Sequence, residues 1–177
     1  MTKKVKRIII TGPESTGKST LAKQLSDYYK TVYLPEYART YIENLNRPYN
    51  YNDLVQIAKT QINLEKEVLL KAHNFLFIDT GLIITKVWFK EVYGKYPDWL
   101  DTAIANLSPE LYLICDYDLP WVHDIVRENG SDEERKYLMS QYVKEIESYG
   151  AKYFIISGNG TERPQKAIGC INKSFKK

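Results

Sequence analysis

The sequence predicts an α/β fold, a parallel sheet with helices on both faces, and three observations carry that prediction. Short β-branched or apolar runs alternate with segments whose apolar residues recur at helical spacing. A run such as Phe75 to Ile78 is apolar throughout, as a strand buried on both faces requires. The runs also end at glycines or acids, namely Gly12, Glu36, Asp79, Asp116, Asp118 and Gly158. In sheets of this kind ligands gather at the carboxyl ends of the strands.

Each element follows in order. VKRIIITG is a β-branched run that ends in glycine, and KSTLAKQLSDYYK from Lys18 places Leu21 and Leu25 four residues apart, so strand, loop and helix are expected. TVYLPEYAR repeats the pattern: a strand to Leu34, a break at Pro35 and a helix through Tyr41 and Leu45. A long helix from about Asn52 to His73 is expected from the stripe Leu54, Ile57, Ala58, Ile62, Val68 and Leu69, with Asp53 placed to meet the positive helix start. FLFIDT is the third strand. A helix from about Gly81 to Val92 leads into an irregular YGKYPDW, and LYLICDYD is the fourth strand. Ser131 and Glu134 form a capping box that opens a helix ending at Gly150. AKYFIISGNG is the fifth strand and TERPQKAIGCIN a terminal helix.

Composition narrows the class. At 177 residues, 44% hydrophobic and 27% charged, without repeats or low-complexity tracts, the chain reads as a single domain over residues 1–177 with a sizeable core. The run Ile8 to Ile10 is too short for an export signal, and no stretch approaches membrane-spanning length, so a cytoplasmic protein is expected. Cys115 and Cys170 lie in apolar contexts without metal-ligand spacing and read as buried thiols. The formal charge of +3 sits largely at the chain ends, and the fifteen tyrosines are scattered, which disfavours a nucleic-acid groove. His73 and His123 read as surface residues.

The chemistry concentrates in ITGPESTGKSTLA. Gly12-x-x-x-x-Gly17-Lys18-Ser19 has the spacing of a phosphate-binding loop. Backbone N–H groups and the helix start face phosphates there, Lys18 reaches the outer ones, and the Ser19 hydroxyl ligates magnesium. The nucleotide-binding set is Gly12, Glu14, Ser15, Thr16, Gly17, Lys18, Ser19 and Thr20. Asp79, at a strand end, suits a carboxylate that holds magnesium, with a helix cap as the plainer alternative. Thr80 follows it in place of the second acid that many ATP-hydrolysing machines carry, and no guanine-reading N-K-x-D occurs. Glu36 and Arg39 lie one helical turn apart at the end of the second strand, where a carboxylate can take a proton from a hydroxyl and an arginine can hold a transferred group. A surface ion pair is the alternative. Asp118, Trp121, Asp124 and Arg127 share the loop after the fourth strand. An indole among carboxylates suits a flat cation, and equally suits a plug at the core edge. Arg127 and Arg135 flank ENGSDEE as candidate lid residues or as solvated helix charges, the latter favoured for Arg135.

Taken as an ordered set, GPESTGKSTLA, LPEYAR, IAKTQINLE, FIDT and DLPWVHDIVREN resemble the ribosylnicotinamide kinase domain of the NadR family, over about Arg7 to Gly158. The resemblance implies a P-loop NTPase domain with five parallel strands in the order 2-3-1-4-5. It implies transfer of the γ-phosphoryl of ATP to the ribose 5′-hydroxyl of nicotinamide riboside with Mg2+, and a small-molecule nucleoside as partner. Lys18, Glu36, Asp79 and Arg127 would then be catalytic, with Glu36 or Asp79 as base. Glu14, Glu36, Arg39, Asp118, Trp121 and Asp124 would bind the acceptor, with Ser19 and Asp79 on the metal. The bifunctional members also carry a nucleotidyltransferase domain, for which this chain has no room. Phosphorylation of another nucleoside, or an ATPase switch that binds a partner, remains the competing reading, and self-association is left open.

Overall fold

The computed structural model describes residues 4–123 and 130–175. Twelve elements run β1 (Lys6–Thr11), α1 (Lys18–Tyr29), β2 (Tyr33–Leu34), α2 (Tyr37–Glu43), α3 (Tyr51–Leu69) and β3 (Phe75–Asp79). They continue through α4 (Leu82–Tyr93), α5 (Trp99–Leu107), β4 (Leu111–Cys115), α6 (Asp132–Ser148), β5 (Tyr153–Ile156) and α7 (Glu162–Phe175). The strands form one parallel sheet in the order β2-β3-β1-β4-β5, the order expected.

Alternation along the buried strands divides the core into two layers. Ile9, Leu76, Ile78, Tyr112 and Ile114 pack on one face with residues of α3, α4, α5 and α6. Ile8, Ile10, Phe77, Leu113 and Cys115 pack on the other with Leu21, Leu25, Ala167 and Ile171 of α1 and α7. Register sets Ile10 opposite Asp79 on one side and Leu113 on the other. The end of β1 therefore lies between the ends of β3 and β4, and the loop that leaves it occupies the middle of the carboxyl edge.

Caps fix the helices that flank that edge. Asn50 and Asp53 make a capping box at the start of α3, and the Arg47 guanidinium grips the Asp53 carboxylate at 2.7 and 2.8 Å. That hydrogen-bonded pair holds the Asp53 carboxyl well below the usual carboxylate range. Ser131 and Glu134 cap α6 as the sequence predicts. Two elements depart from expectation. The long third helix stops at Leu69, and the chain turns through a left-handed Asn74 (φ 60°) before β3. Helix α5 is not anticipated: only Leu100 and Ile104 on it are fully buried, too few anchors to declare a helical period. Among the described residues no helix is long and apolar enough to cross a membrane, and Cys115 and Cys170 are free.

Candidate active site

The loop between β1 and α1 owes its shape to three left-handed or near-mirror residues. Gly12 has φ 138°, and a Cβ there would stand 2.5 Å from the Cys115 carbonyl oxygen, so only glycine lets the loop cross the end of β4 this closely. Ser15 has φ 56° and Gly17 φ 76°. Thr16 donates its hydroxyl to the Pro13 carbonyl at 2.8 Å, and Lys18 Nζ donates to the same oxygen at 2.8 Å, so the lysine arches over the loop. The Ser15 hydroxyl accepts from the Val122 N–H at 3.1 Å and donates to its carbonyl at 3.3 Å. The segment after β4 is thereby fastened to the loop.

Asp79 ends β3 with 1% of its surface exposed; the Thr80 hydroxyl donates to its carboxylate at 3.4 Å, and the Ser19 hydroxyl lies close enough to favour its ionised form. Burial raises the Asp79 carboxyl above its ordinary range, and the Ser19 hydroxyl, the Lys18 charge and the Thr80 hydroxyl oppose the rise. Glu36 caps the start of α2 with its backbone, its side chain half-buried. Burial raises the Glu36 carboxyl too, against the pull of Lys18 and Arg39, while Asp79 and Glu14 add to the rise. Five of the sequence-predicted groups, Glu14, Lys18, Glu36, Arg39 and Asp79, thus sit within one another's electrostatic reach. Arg39 also donates to Glu43 at 3.0 Å on its own helix.

The loop opens into a cleft of about 650 Å³ that Glu36, Arg39, Tyr49, Val87, Trp88, Glu91, Glu134, Tyr137, Leu138 and Tyr142 also line. Trp88 meets Tyr49 edge-on with ring centroids 4.9 Å apart, and its indole N–H donates to the Tyr49 hydroxyl at 3.1 Å. Tyr137 of α6 donates to Glu91 of α4 at 3.0 Å across the cleft. Val87, Leu138 and Tyr142 form a small apolar cluster between the same two helices. The side of the cleft away from the loop is therefore aromatic and acidic.

Other expectations are placed differently. Asp118 and Trp121 line a separate cleft of about 550 Å³ with Asp116, Tyr117, Asp132 and Arg135, not the cleft of Glu36 and Arg39. The Asp118 carboxylate is paired with Arg163 and accepts from the Gly158 N–H at 2.6 Å. Trp121 covers Gly130, where a Cβ would lie 3.2 Å from the indole. Asp124 and Arg127 fall outside the described residues. Arg135 is not a solvated helix charge: it is 4% exposed and donates to the Leu119 carbonyl at 2.8 Å and to Asp132 at 2.6 Å. The sequence reading missed Tyr49, Trp88, Glu91, Tyr142 and Arg163. A signal existed for the last, because an arginine in the first turn of α7 opposes the helix dipole and needs another reason to be there.

Fold and site together define a phosphate-loop nucleotide-binding domain whose loop opens into a cleft with an aromatic and acidic wall. The chain belongs to the AAA domain family AAA_28, whose profile matches residues 7–163. The trifunctional NAD biosynthesis/regulator protein NadR of Escherichia coli (strain K12) is 28% identical over 153 residues, 84% of this chain and 37% of that protein. The chain thus spans little more than a third of the curated relative's length. A crystal structure of a NadR protein in complex with NR superposes with TM-score 0.80 at 20% identity, covering 98% of this chain and 52% of that one. A second, of a NadR protein with NAD and AMP-PNP, gives 0.76 at 20% identity over 97% of this chain and 50% of the other.

Proposed function

We propose that this protein is an ATP-dependent kinase that phosphorylates the ribose 5′-hydroxyl of nicotinamide riboside to give the mononucleotide. The observation that carries the reading is a single cleft: the phosphate loop with Lys18 and Ser19 opens onto Glu36, Arg39 and an aromatic wall ringed by carboxylates. An ATPase switch needs no chamber beside its γ-phosphate. The likeness to NadR, one structure of which holds NR and another an ATP analogue, supports the same reading.

In this reaction the substrate 5′-oxygen bonds to the γ-phosphorus, the bond from that phosphorus to the β,γ-bridging oxygen breaks, and ADP leaves. Glu36 takes the hydroxyl proton, and its raised pKa makes it a stronger base than an ordinary carboxylate. Lys18 and the loop N–H groups neutralise charge on the phosphates, and Arg39 steadies the transferred group. The hydroxyl of Ser19 and the carboxylate of Asp79, close to one another, would be the hard oxygen donors that hold a Mg2+ ion. Bound there, the ion would screen the β- and γ-phosphate charges.

The nicotinamide ring of the riboside is a permanent cation. Trp88 and Tyr49 bring aromatic rings to the cleft it would occupy, and Glu14, Glu91 and Glu134 bring negative charge to the same chamber. In this assignment Trp88 takes the role that composition alone suggested for Trp121. The test is ATP consumption across a panel of ribosides and deoxyribosides, with each product weighed by mass spectrometry. Nicotinamide riboside should give the highest kcat/KM, and a panel in which adenosine, cytidine or thymidine exceeds it would refute the assignment.

A further inference from the structure

The Arg163 guanidinium is 5% exposed and sits where three strand-end segments meet. It donates to the Thr16 carbonyl of the phosphate loop at 3.2 Å, to the carbonyls of Ile156 at the end of β5 at 3.0 Å and Gly158 just beyond it at 2.9 Å, and to that of Asp116 beyond β4 at 3.5 Å. The Asp118 carboxylate supplies the countercharge and also accepts from the Gly158 N–H at 2.6 Å. A charge this well buried is retained only when its hydrogen-bonding capacity is filled, and carbonyls of three loops fill it here.

One of those bonds bears on phosphate binding. In a planar trans peptide the C=O and the following N–H point in opposite directions. When Arg163 draws the Thr16 carbonyl toward α7, the Gly17 N–H is turned the other way. That N–H belongs to the loop whose backbone donors cradle phosphates, one residue ahead of Lys18. The left-handed conformation of Gly17 (φ 76°) completes the turn.

We infer that Arg163, charge-balanced by Asp118, is a positioning residue for the donor half of the site: it sets the Thr16–Gly17 peptide for triphosphate and locks the loop after β5 to it. Asp118 then serves the ATP side and not the acceptor. The inference rests on the reading of this loop as the ATP site, and binding of an ATP analogue to the wild type, measured without any acceptor, reports on that reading separately.

The test compares Asp118→Asn and Arg163→Lys with wild type by calorimetry against three probes: the non-hydrolysable analogue AMP-PNP, inorganic tripolyphosphate and nicotinamide riboside. Thermal unfolding is followed in parallel. Asp118→Asn keeps the side-chain shape but removes the charge and leaves one acceptor oxygen for the two donors, Arg163 and the Gly158 N–H, while Arg163→Lys keeps the charge and cannot reach the spread of carbonyls. Both should weaken AMP-PNP and tripolyphosphate together, roughly tenfold for Asp118→Asn and more for Arg163→Lys, the scale of a lost charge-assisted hydrogen bond. Riboside affinity should hold within about twofold, as expected for a site that shares no partner with the pair. Loss of riboside affinity with phosphate affinities intact would overturn the inference and return Asp118 to the acceptor. So would a lowered unfolding temperature with unchanged affinity for all three probes, which would make the pair a structural brace alone.

Discussion

Replacing Glu65 with glutamine should flatten the pH dependence of folding stability. Glu65 lies on α3 with 2% of its surface exposed, and neither carboxylate oxygen has a hydrogen-bond partner of normal geometry. Burial pushes its carboxyl up to about 7 from an ordinary 4.5, against the pull of Arg7 and the Gln61 amide. The acid is therefore held in its protonated form by the fold. Between pH 4.5 and 7 the native state binds more protons than the unfolded chain, so stability falls as pH rises through that window and levels off above it. Raising the pH from 5 to 8 should cost the wild type about 2–3 kcal/mol through this one group. Glutamine cannot titrate, so the Glu65→Gln variant should gain about that much relative to wild type over the same range, a shift of roughly 5–10 °C in unfolding temperature for a domain of this size. Chemical denaturation at pH 5, 6, 7 and 8 measures it. Parallel stability profiles for the two proteins would refute the argument and place the ionised carboxylate in contact with a compensating partner.

Three further outcomes concern the site. Glu36→Gln should lower kcat by about 10²–10⁴ with little change in nucleotide affinity. Because burial raises the Glu36 carboxyl, wild-type kcat should decline on acidification at a pH above the usual carboxylate range, and that limb should vanish in the variant; a near-normal kcat would shift the role of base to Asp79. Gly12→Ala sets a methyl group 2.5 Å from the Cys115 carbonyl at a φ of 138°, so ATP binding should be lost in titration calorimetry, with backbone strain alone costing about 1–3 kcal/mol; undiminished affinity would contradict the loop geometry. Trp88→Leu should weaken nicotinamide riboside by about 0.5–2 kcal/mol through the lost attraction between ring face and cation. The uncharged reduced riboside should lose less, and equal losses would reduce Trp88 to an apolar wall.

Much of this was legible in the chain. All five strands and the phosphate loop announce themselves because their signals are local: β-branched runs, a fixed glycine spacing and an acid at a strand end. Lys18, Glu36, Arg39 and Asp79 come within electrostatic reach of one another because each is fixed to a strand end or to the residues just after it. Residues of the aromatic wall could not be read this way. Trp88 and Val87 lie on an apolar helix where the sequence shows only core, and their meeting with Tyr49 and Tyr142 depends on how α4 packs on α6 and on the connection before α3. The loop after β4 misled for the converse reason. Its tryptophan and acids have the composition of a cation site, yet Arg163, some 45 residues on, claims Asp118 through a tertiary contact that no spacing encodes.

The central claim is transfer of phosphate to the 5′-hydroxyl of nicotinamide riboside, and phosphorus NMR of the reaction tests it most directly. With ATP, magnesium and the riboside, a phosphomonoester resonance coupled to the C5′ protons should grow in step with ADP, with no accompanying rise in free phosphate. Growth of inorganic phosphate alone, at the same rate with or without the riboside, would contradict the account and leave an ATPase in its place.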